Sequence, residues 1–181
     1  MKSKFLKSLR EARFDLLQKV EEWRSIKSEQ FQKKSIILRH EVALINANPL
    51  EWLILQDCPK KIFWENRNQK EQFAGIGSAL EFKDGKEGYE KILLLVRNLL
   101  KNSSNSIRLF GGMRFDLNMK PSKEWNDWGN LLFTLPMVEL SFINENITLA
   151  CHIFTGENIN KNLNELEKIL ESMRIENISI P

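Results

Sequence analysis

The chain has 181 residues, of which 42% are hydrophobic and 28% are charged, so it can bury a sizeable core and is predicted to form one domain with an appended arm. Its net charge of +3 is uneven, because residues 1–40 hold eleven Lys and Arg against five Asp and Glu. Acidic residues interrupt this basic segment and no aromatic platform alternates with it, which disfavours nucleic-acid binding. Nothing in the composition indicates a fibre, a solenoid or a disordered chain.

The cysteines and the lengths of the apolar runs indicate the cellular compartment of the protein. Cys58 and Cys151 lie far apart, in no CxxC or Cys/His spacing, which disfavours a disulfide framework and a zinc site. The basic amino terminus lacks the uninterrupted apolar run of a signal peptide. The longest apolar run, residues 92–96, is too short to span a bilayer. We therefore expect a soluble, cytoplasmic protein with reduced thiols.

The amino-terminal arm is predicted to be an amphipathic helix over residues 4–25. Apolar residues recur there at three- and four-residue steps, while Lys, Arg and Glu fill the other face. The helix is expected to dock on the body of the protein, and a helix lying on a membrane surface is the alternative. The apolar stripe consists of Phe5, Leu9, Ala12, Leu16, Val20 and Trp23.

A helix start is encoded by Asn48 followed by Pro49. The Asn side chain can accept hydrogen bonds from free backbone N–H groups, and proline at the first helical position loses no hydrogen bond. Up to residue 82 the predicted elements are a connector at 29–34, a strand at 35–43, a helix at 49–56, a strand at 61–65, a turn at 66–69, its hairpin partner at 71–77 and a continuation of that sheet at 78–82.

Glycine pairs occur at two places in the predicted strands. Gly75 and Gly77 can be interpreted as a phosphate-binding loop, but AGIGSAL is not a GxGxxG motif, so a bend or close packing within a strand is favoured. Gly111 and Gly112 interrupt a strand predicted at 107–115. Because glycine weakens a strand unless geometry demands it, this pair predicts a bend or a close backbone approach, with ligand contact as the weaker alternative.

The remaining elements complete a pattern of strands and helices. A helix at 87–101 is expected to pack on the body through its apolar face. After a polar loop, Trp125 and Trp128 are expected to return the chain to the core, and Pro136 predicts an edge or a strand break. The later elements are strands at 131–135 and 138–143, a hairpin loop at 144–146, a strand at 147–154 and a helix that is capped by Asn158 or Asn160 and ends near Met173.

This order of elements predicts an α+β fold, with helices packed on a curved, mostly antiparallel sheet. A doubly wound fold would need a steadier alternation of strands and helices. The predicted organisation is a basic helical arm at 1–34, an α+β body at 35–173 and a linker at 174–181.

Candidate catalytic residues are few. His40 and His152 are the two histidines, and neither adjoins a nucleophile motif or an HExxH pair, so each is interpreted as a strand residue with a local hydrogen bond. Glu139 lies between Val138 and Leu140 after a proline, but a carboxylate in a strand is expected to point to solvent. The scattered carboxylates form no pair that indicates a metal site.

Several separated motifs, in order, resemble the amino-terminal part of isochorismate synthase, a chorismate-utilising enzyme. The resemblance covers residues 49–152. The motifs on which the resemblance rests are, in chain order, a PLEWL helix, an FW strand, AGIGSA, a helix, FGGMRFD, a loop with two tryptophans, LPMVEL and a strand ending in CH.

The resemblance implies magnesium-dependent conversion of chorismate to isochorismate. It also implies a lysine that acts as base, a glutamate that acts as acid and two glutamates that hold the metal, all in the carboxy-terminal half of that family. No position of this chain matches those motifs, so no catalytic, substrate-binding or metal-ligating residue is assigned to it. The chain is then expected to be an inactive scaffold whose partner is the carboxy-terminal catalytic half, in the same or a separate chain.

Two other functions stay open from the sequence. One is an interaction module that uses an exposed sheet face or edge, which would self-associate or show a large apolar patch. The other is a nucleic-acid or membrane adaptor that acts through residues 1–40, whose binding would weaken steeply with salt.

Overall fold

A computed structural model describes residues 6–25, 36–83, 89–101, 103, 106–116, 122–125, 128–155 and 158–176. The predicted connector at 29–34 and the end of the tail at 177–181 lie outside these residues. The helices are α1 (Leu9–Ser25), α2 (Pro49–Leu55), α3 (Tyr89–Lys101) and α4 (Ile159–Ser172), with a short 3-10 turn at Lys123–Trp125. The strands are β1 (Ile37–Leu44), β2 (Lys61–Glu65), β3 (Glu71–Ile76), β4 (Leu80–Lys83), β5 (Phe110–Met113), β6 (Leu131–Leu135), β7 (Val138–Ile143) and β8 (Asn146–Phe154).

The larger sheet has five antiparallel strands in the order β1-β8-β7-β3-β2. Alternate residues of its strands face the helices α1, α2 and α4 and form the main core with them. Leu140, Leu149 and Ile153 are fully buried in this layer, as are Leu166 and Leu170 of α4. The predicted α+β fold with helices on an antiparallel sheet is therefore confirmed.

A second, three-stranded antiparallel sheet has the order β4-β6-β5. The prediction that residues 78–82 continue the sheet of β3 is wrong, because the chain turns at Gly77 (φ +68°) and β4 pairs with β6. Pro136 breaks the strand as predicted, and it separates β6 in the small sheet from β7 in the large one. A residue without an N–H group stands where the chain changes sheets.

The described part of the amino-terminal arm packs into the main core. Leu9, Ala12, Leu16, Val20 and Trp23 are all buried, and α1 contacts α4 and β1. The helix begins later than predicted, because residue 7 forms a parallel bridge with residue 44. A docked helix is therefore the correct interpretation of residues 9–25, and its apolar stripe is not available to a membrane surface. The division of the chain at residue 34 stays a prediction.

Local signals at the helix ends are only partly predictive. Asn48 caps α2 as expected, because its side chain accepts hydrogen bonds from the N–H groups of Leu50 (2.9 Å) and Glu51 (3.1 Å). At the start of α4, Asn158 makes no side-chain capping hydrogen bond and Asn160 lies inside the helix. Asn158 therefore occupies the predicted cap position of α4 without a capping side-chain bond, and the helix itself is confirmed.

The helix α3 packs on the body through its apolar face, as predicted. Ile92 is buried, and Leu99 and Leu100 pack against the main core, whereas Leu94 and Leu95, which are not part of that face, are 57% and 56% exposed. Among the described residues, no helix is both long enough and apolar enough to cross a membrane.

Candidate functional site

Glu139 lies at the centre of the larger sheet. Its neighbours Val138 and Leu140 face the helices, so the period of two places its side chain on the opposite face of the sheet. The expectation that this carboxylate points to solvent is wrong, since Glu139 is fully buried. The strand β7 lies between β8 and β3, and the residues paired with Glu139 across the sheet are the small Ala150 and Gly75.

Two arginines from distant segments converge on Glu139. The Arg39 Nη1 donates to Glu139 Oε1 at 3.2 Å, and the Arg108 Nη1 lies 3.7 Å from the same oxygen. Arg39 also donates from Nε to Glu41 Oε2 at 3.1 Å, and its side chain is only 6% exposed. Burial raises the pKa of Glu139, and the two guanidinium groups oppose that rise. Glu139, Arg39, Arg108 and His152 are called the buried polar cluster below.

His152 completes the buried polar cluster. Its Nδ1–H donates to the carbonyl oxygen of Pro136 at 2.9 Å, and its Nε2 accepts from Arg39 Nη1. Burial, together with the positive charge of Arg39, lowers the pKa of His152 to about 3, so the ring is neutral at physiological pH. Both ring nitrogens are engaged and the side chain is fully buried. The interpretation of His152 as a strand residue with a local hydrogen bond is confirmed.

His40 lies on the other side of the sheet from the buried polar cluster. It pairs with Cys151 in the β1–β8 register, and its charged neighbours include Asp15, Lys19 and Glu22 of α1. Burial lowers the pKa of His40. The structure therefore places the two histidines on opposite faces of the sheet.

The pH dependence of stability tests the position of His152. A histidine in the unfolded chain titrates near pH 6.5, whereas the pKa of His152 in the folded chain is about 3. Between these values the unfolded chain binds more protons, so the free energy of unfolding falls as the pH falls below 6.5. From pH 7 to pH 5, wild-type protein is expected to lose about 2 kcal/mol more than His152→Gln.

Urea unfolding at the two pH values measures this difference. The two proteins differ only at residue 152, and Arg39 and Arg108 face that position in both, so the difference in pH dependence reports on the ring of His152. Equal pH dependence in the two proteins would show that His152 is not buried in neutral form.

The glycines of the AGIGSA segment serve packing. A Cβ atom on Gly75 would lie 2.7 Å from Pro136 Cβ, and one on Gly77 would lie 2.6 Å from Ile169 Cδ1. These contacts confirm the prediction of close packing within a strand. The adjoining cavity of about 590 Å³ is lined by residues of both charges, and Lys60 donates to Glu81 at 2.9 Å. The lining is not the cationic cradle that a phosphate requires.

An aromatic groove crosses the small sheet and the edge of the large one. We define it as three adjoining depressions of about 680, 540 and 490 Å³. The first two share Gly112, Trp128 and Leu132. The second and third share Trp64, Phe110 and Gly111.

The prediction that Trp125 and Trp128 return the chain to the core is wrong. They are 57% and 46% exposed, and their rings contact each other edge to face with centroids 5.8 Å apart. They lie in the aromatic groove together with Met113 and Phe115, which are also exposed. The two tryptophans were assigned to the core because they are apolar, whereas the structure places them on a surface.

Comparison with known proteins places this architecture in a family. Residues 18–179 match the family model described as chorismate binding enzyme, which is most of the chain. The chain belongs to the chorismate-binding enzyme family. The resemblance of the FGGMRFD and LPMVEL segments to isochorismate synthase is thereby confirmed at the level of the family.

Two isochorismate synthases are similar to this chain, one in sequence and one in fold. Isochorismate synthase 2 of Arabidopsis thaliana, a chloroplastic protein, is 34% identical over 101 residues, which are 55% of this chain and 18% of the plant protein. The solved structure of MenF, the menaquinone-specific isochorismate synthase of Escherichia coli, is 16% identical and matches with a TM-score of 0.66. That match covers 95% of this chain and 36% of MenF, so the chain spans about a third or less of each relative.

The described residues of this chain do not assemble a magnesium site. Within those residues, no three His, Cys, Asp or Glu side chains come together as metal ligands. The buried Glu139 instead faces guanidinium groups, which are not metal ligands.

Sequence reasoning identified Glu139 but missed the arginines of the buried polar cluster. Arg39 is in a strand whose alternation places it, with Glu41, on the face opposite to Leu38 and Val42. This alternation with a period of two was the sequence signal that could have placed Arg39 on the same face as Glu41. Arg108 had no such signal, because it precedes β5 in an irregular segment.

The two thiols provide a simple test of the core. Both are free, but Cys151 is fully buried, which raises its pKa to about 12, whereas Cys58 is partly exposed. Burial therefore keeps the Cys151 thiol away from reagents and protonated at neutral pH. We expect one thiol per chain to react rapidly with Ellman's reagent and the second only after unfolding. A rapid reaction that persists in Cys58→Ser would contradict the buried position of Cys151.

Proposed function

We propose that this chain is the amino-terminal scaffold region of an isochorismate synthase, an isomerase that converts chorismate to isochorismate. The product would supply menaquinone, phylloquinone or siderophore precursors. The family match over residues 18–179 carries the proposal. The plant relative, which is named an isochorismate synthase, supports this choice within the family.

The contribution of this chain is structural under the proposal. Its buried ionisable groups bond to one another and are closed to solvent, since Glu139 and His152 are both fully buried. A group that touches no cavity cannot reach a substrate. The residues that transfer protons and hold magnesium are therefore proposed to belong to a carboxy-terminal half, in the same or a separate polypeptide.

Chorismate turnover tests this function. The chain, a separately produced carboxy-terminal half and their mixture are each incubated with chorismate and magnesium, and isochorismate is detected by chromatography. We expect product only from the mixture, and we expect a chelator of magnesium to abolish it. Product from the chain alone would contradict the scaffold role.

A second candidate is a stand-alone interaction module, favoured by the exposed Trp64, Trp125 and Trp128 of the aromatic groove. This protein would self-associate or bind an unrelated protein through the groove, and it would not stimulate turnover by any carboxy-terminal half. Sedimentation of the chain alone, measured together with chorismate turnover, distinguishes the two candidate functions.

A further inference from the structure

The aromatic groove has the composition of an interface that is not yet covered. Trp64, Met113 and Trp128 are each about half exposed, at 46%, 50% and 46%, and Phe115 is fully exposed. Tryptophan and methionine are enriched in the buried centres of protein interfaces, and tryptophan dominates their binding energy. Large apolar side chains grouped in one concave surface indicate a binding partner, whereas isolated ones do not.

The backbone around the groove is also open to a partner. The strand β2 is the last strand of the larger sheet, and β5 is the last strand of the smaller one. Residues of both strands line the central depression, where Trp64 of β2 and Phe110 of β5 lie. Edge strands carry backbone groups that can pair with a further strand unless they are covered or blocked by charge.

The rim of the groove differs from its centre. Arg108 lies at one end, with its guanidinium stacked 4.5 Å from the centroid of the Phe73 ring and 3.7 Å from Glu139. Lys60 and Glu81 lie at another side and pair with each other at 2.9 Å. Charged groups at the edge are thus bonded to one another, and the centre is aromatic, which is the anatomy of a protein-protein interface.

The lengths of the relatives identify the occupant. Nearly all of this chain, 95%, aligns with MenF but covers only 36% of it, so most of such an enzyme lies outside these residues. The apolar stripe of α1 is buried in the core, as is that of α4. The aromatic groove is a concave apolar surface that the described residues leave uncovered.

We propose that the aromatic groove is the surface on which the rest of the chorismate-binding enzyme docks, with Trp64 and Trp128 as its central anchors. This inference rests on the proposed function, because it takes the occupant to be the carboxy-terminal half. The docked half covers the edges of β2 and β5 and shields the tryptophans from water.

Photo-crosslinking in cells that carry the native gene tests the docking surface. Trp128 is replaced with p-benzoyl-phenylalanine in one variant and Trp64 in a second, so that a folding defect at one position does not decide the result. Phe14 of α1, which is 60% exposed on the helical layer, is replaced in the matched control. Crosslinked peptides are identified by mass spectrometry after circular dichroism confirms that each variant folds.

We expect positions 64 and 128 to capture peptides of chorismate-binding sequence from outside this chain, and position 14 to capture none. Capture of that sequence by position 14 alone would overturn the docking surface and leave the proposed function standing. Capture of a second copy of this chain by positions 64 and 128 would replace the proposal with a homodimer. If no position captures chorismate-binding sequence, the docking surface fails, and turnover of chorismate by the mixture of the two halves decides the scaffold function separately.

Discussion

Glu139→Gln is expected to lower the free energy of unfolding by about 3–5 kcal/mol, because it removes the fully buried member of the two carboxylates that pair with the buried cation of Arg39. Arg39 donates to Glu139 at 3.2 Å, and its side chain is 6% exposed, so water cannot replace the lost carboxylate. The amide keeps the shape of the side chain and removes only the charge. Urea unfolding at pH 7, followed by circular dichroism, measures the loss.

The matched control for this prediction is Glu41→Gln. Glu41 also accepts from Arg39, at 3.1 Å, but its side chain is 39% exposed, so the expected loss is under about 1 kcal/mol. The double variant Arg39→Met with Glu139→Leu removes both charges and is expected to be more stable than Glu139→Gln. If Glu139→Gln is no more destabilising than Glu41→Gln, the buried polar cluster is not an ionised network.

Gly111→Ala has the second large expected effect, a loss of about 3 kcal/mol in the free energy of unfolding. A Cβ atom at this position would lie 1.9 Å from the carbonyl oxygen of Leu132, and the backbone has φ of +153°. The obstacle is backbone of the paired strand β6, which cannot rotate away as a side chain can. The small sheet would have to separate at β5 to admit the methyl group.

The neighbouring glycine supplies the control, since a Cβ atom on Gly112 would meet nothing within 4 Å. Gly112→Ala is expected to change the free energy of unfolding by less than about 1 kcal/mol. Thermal and urea unfolding of the two variants measure the difference. Equal stability of Gly111→Ala and Gly112→Ala would contradict the close approach of β5 and β6.

Periodicity and punctuation predicted most of the secondary structure. The strands β2, β6 and β7 have the predicted bounds, and the stripe of α1 is buried as its spacing requires. Pro136 marked the passage between the two sheets because its missing N–H has the same consequence in any fold. These patterns depend on residues that are close together in the chain, so they can be recognised from the sequence alone.

The buried polar cluster could not be predicted because its partners are distant in the chain. Arg39 and Glu139 are 100 residues apart and meet through the β1-β8-β7 order of strands. Strand patterns predict which face a residue occupies but not which strands become neighbours. Glu139 was therefore expected to be exposed to solvent, although the side chain is fully buried on its face of the sheet.

The aromatic groove was missed for a different reason. Hydrophobicity predicted that Trp125 and Trp128 would be buried, and the structure leaves both about half exposed. Core residues and interface residues share this composition, and the two differ in which molecule covers them. The sequence motifs indicated the family. They include none of the residues that would complete a catalytic site.

Titration of a fixed amount of a carboxy-terminal half with this chain tests the scaffold role most directly. Isochorismate formation from chorismate, with magnesium present, is measured after each addition. The scaffold role predicts that the rate rises from zero with added chain and reaches a plateau at an equimolar ratio. A carboxy-terminal half that is fully active without the chain, or a rate that the chain leaves unchanged, would contradict it.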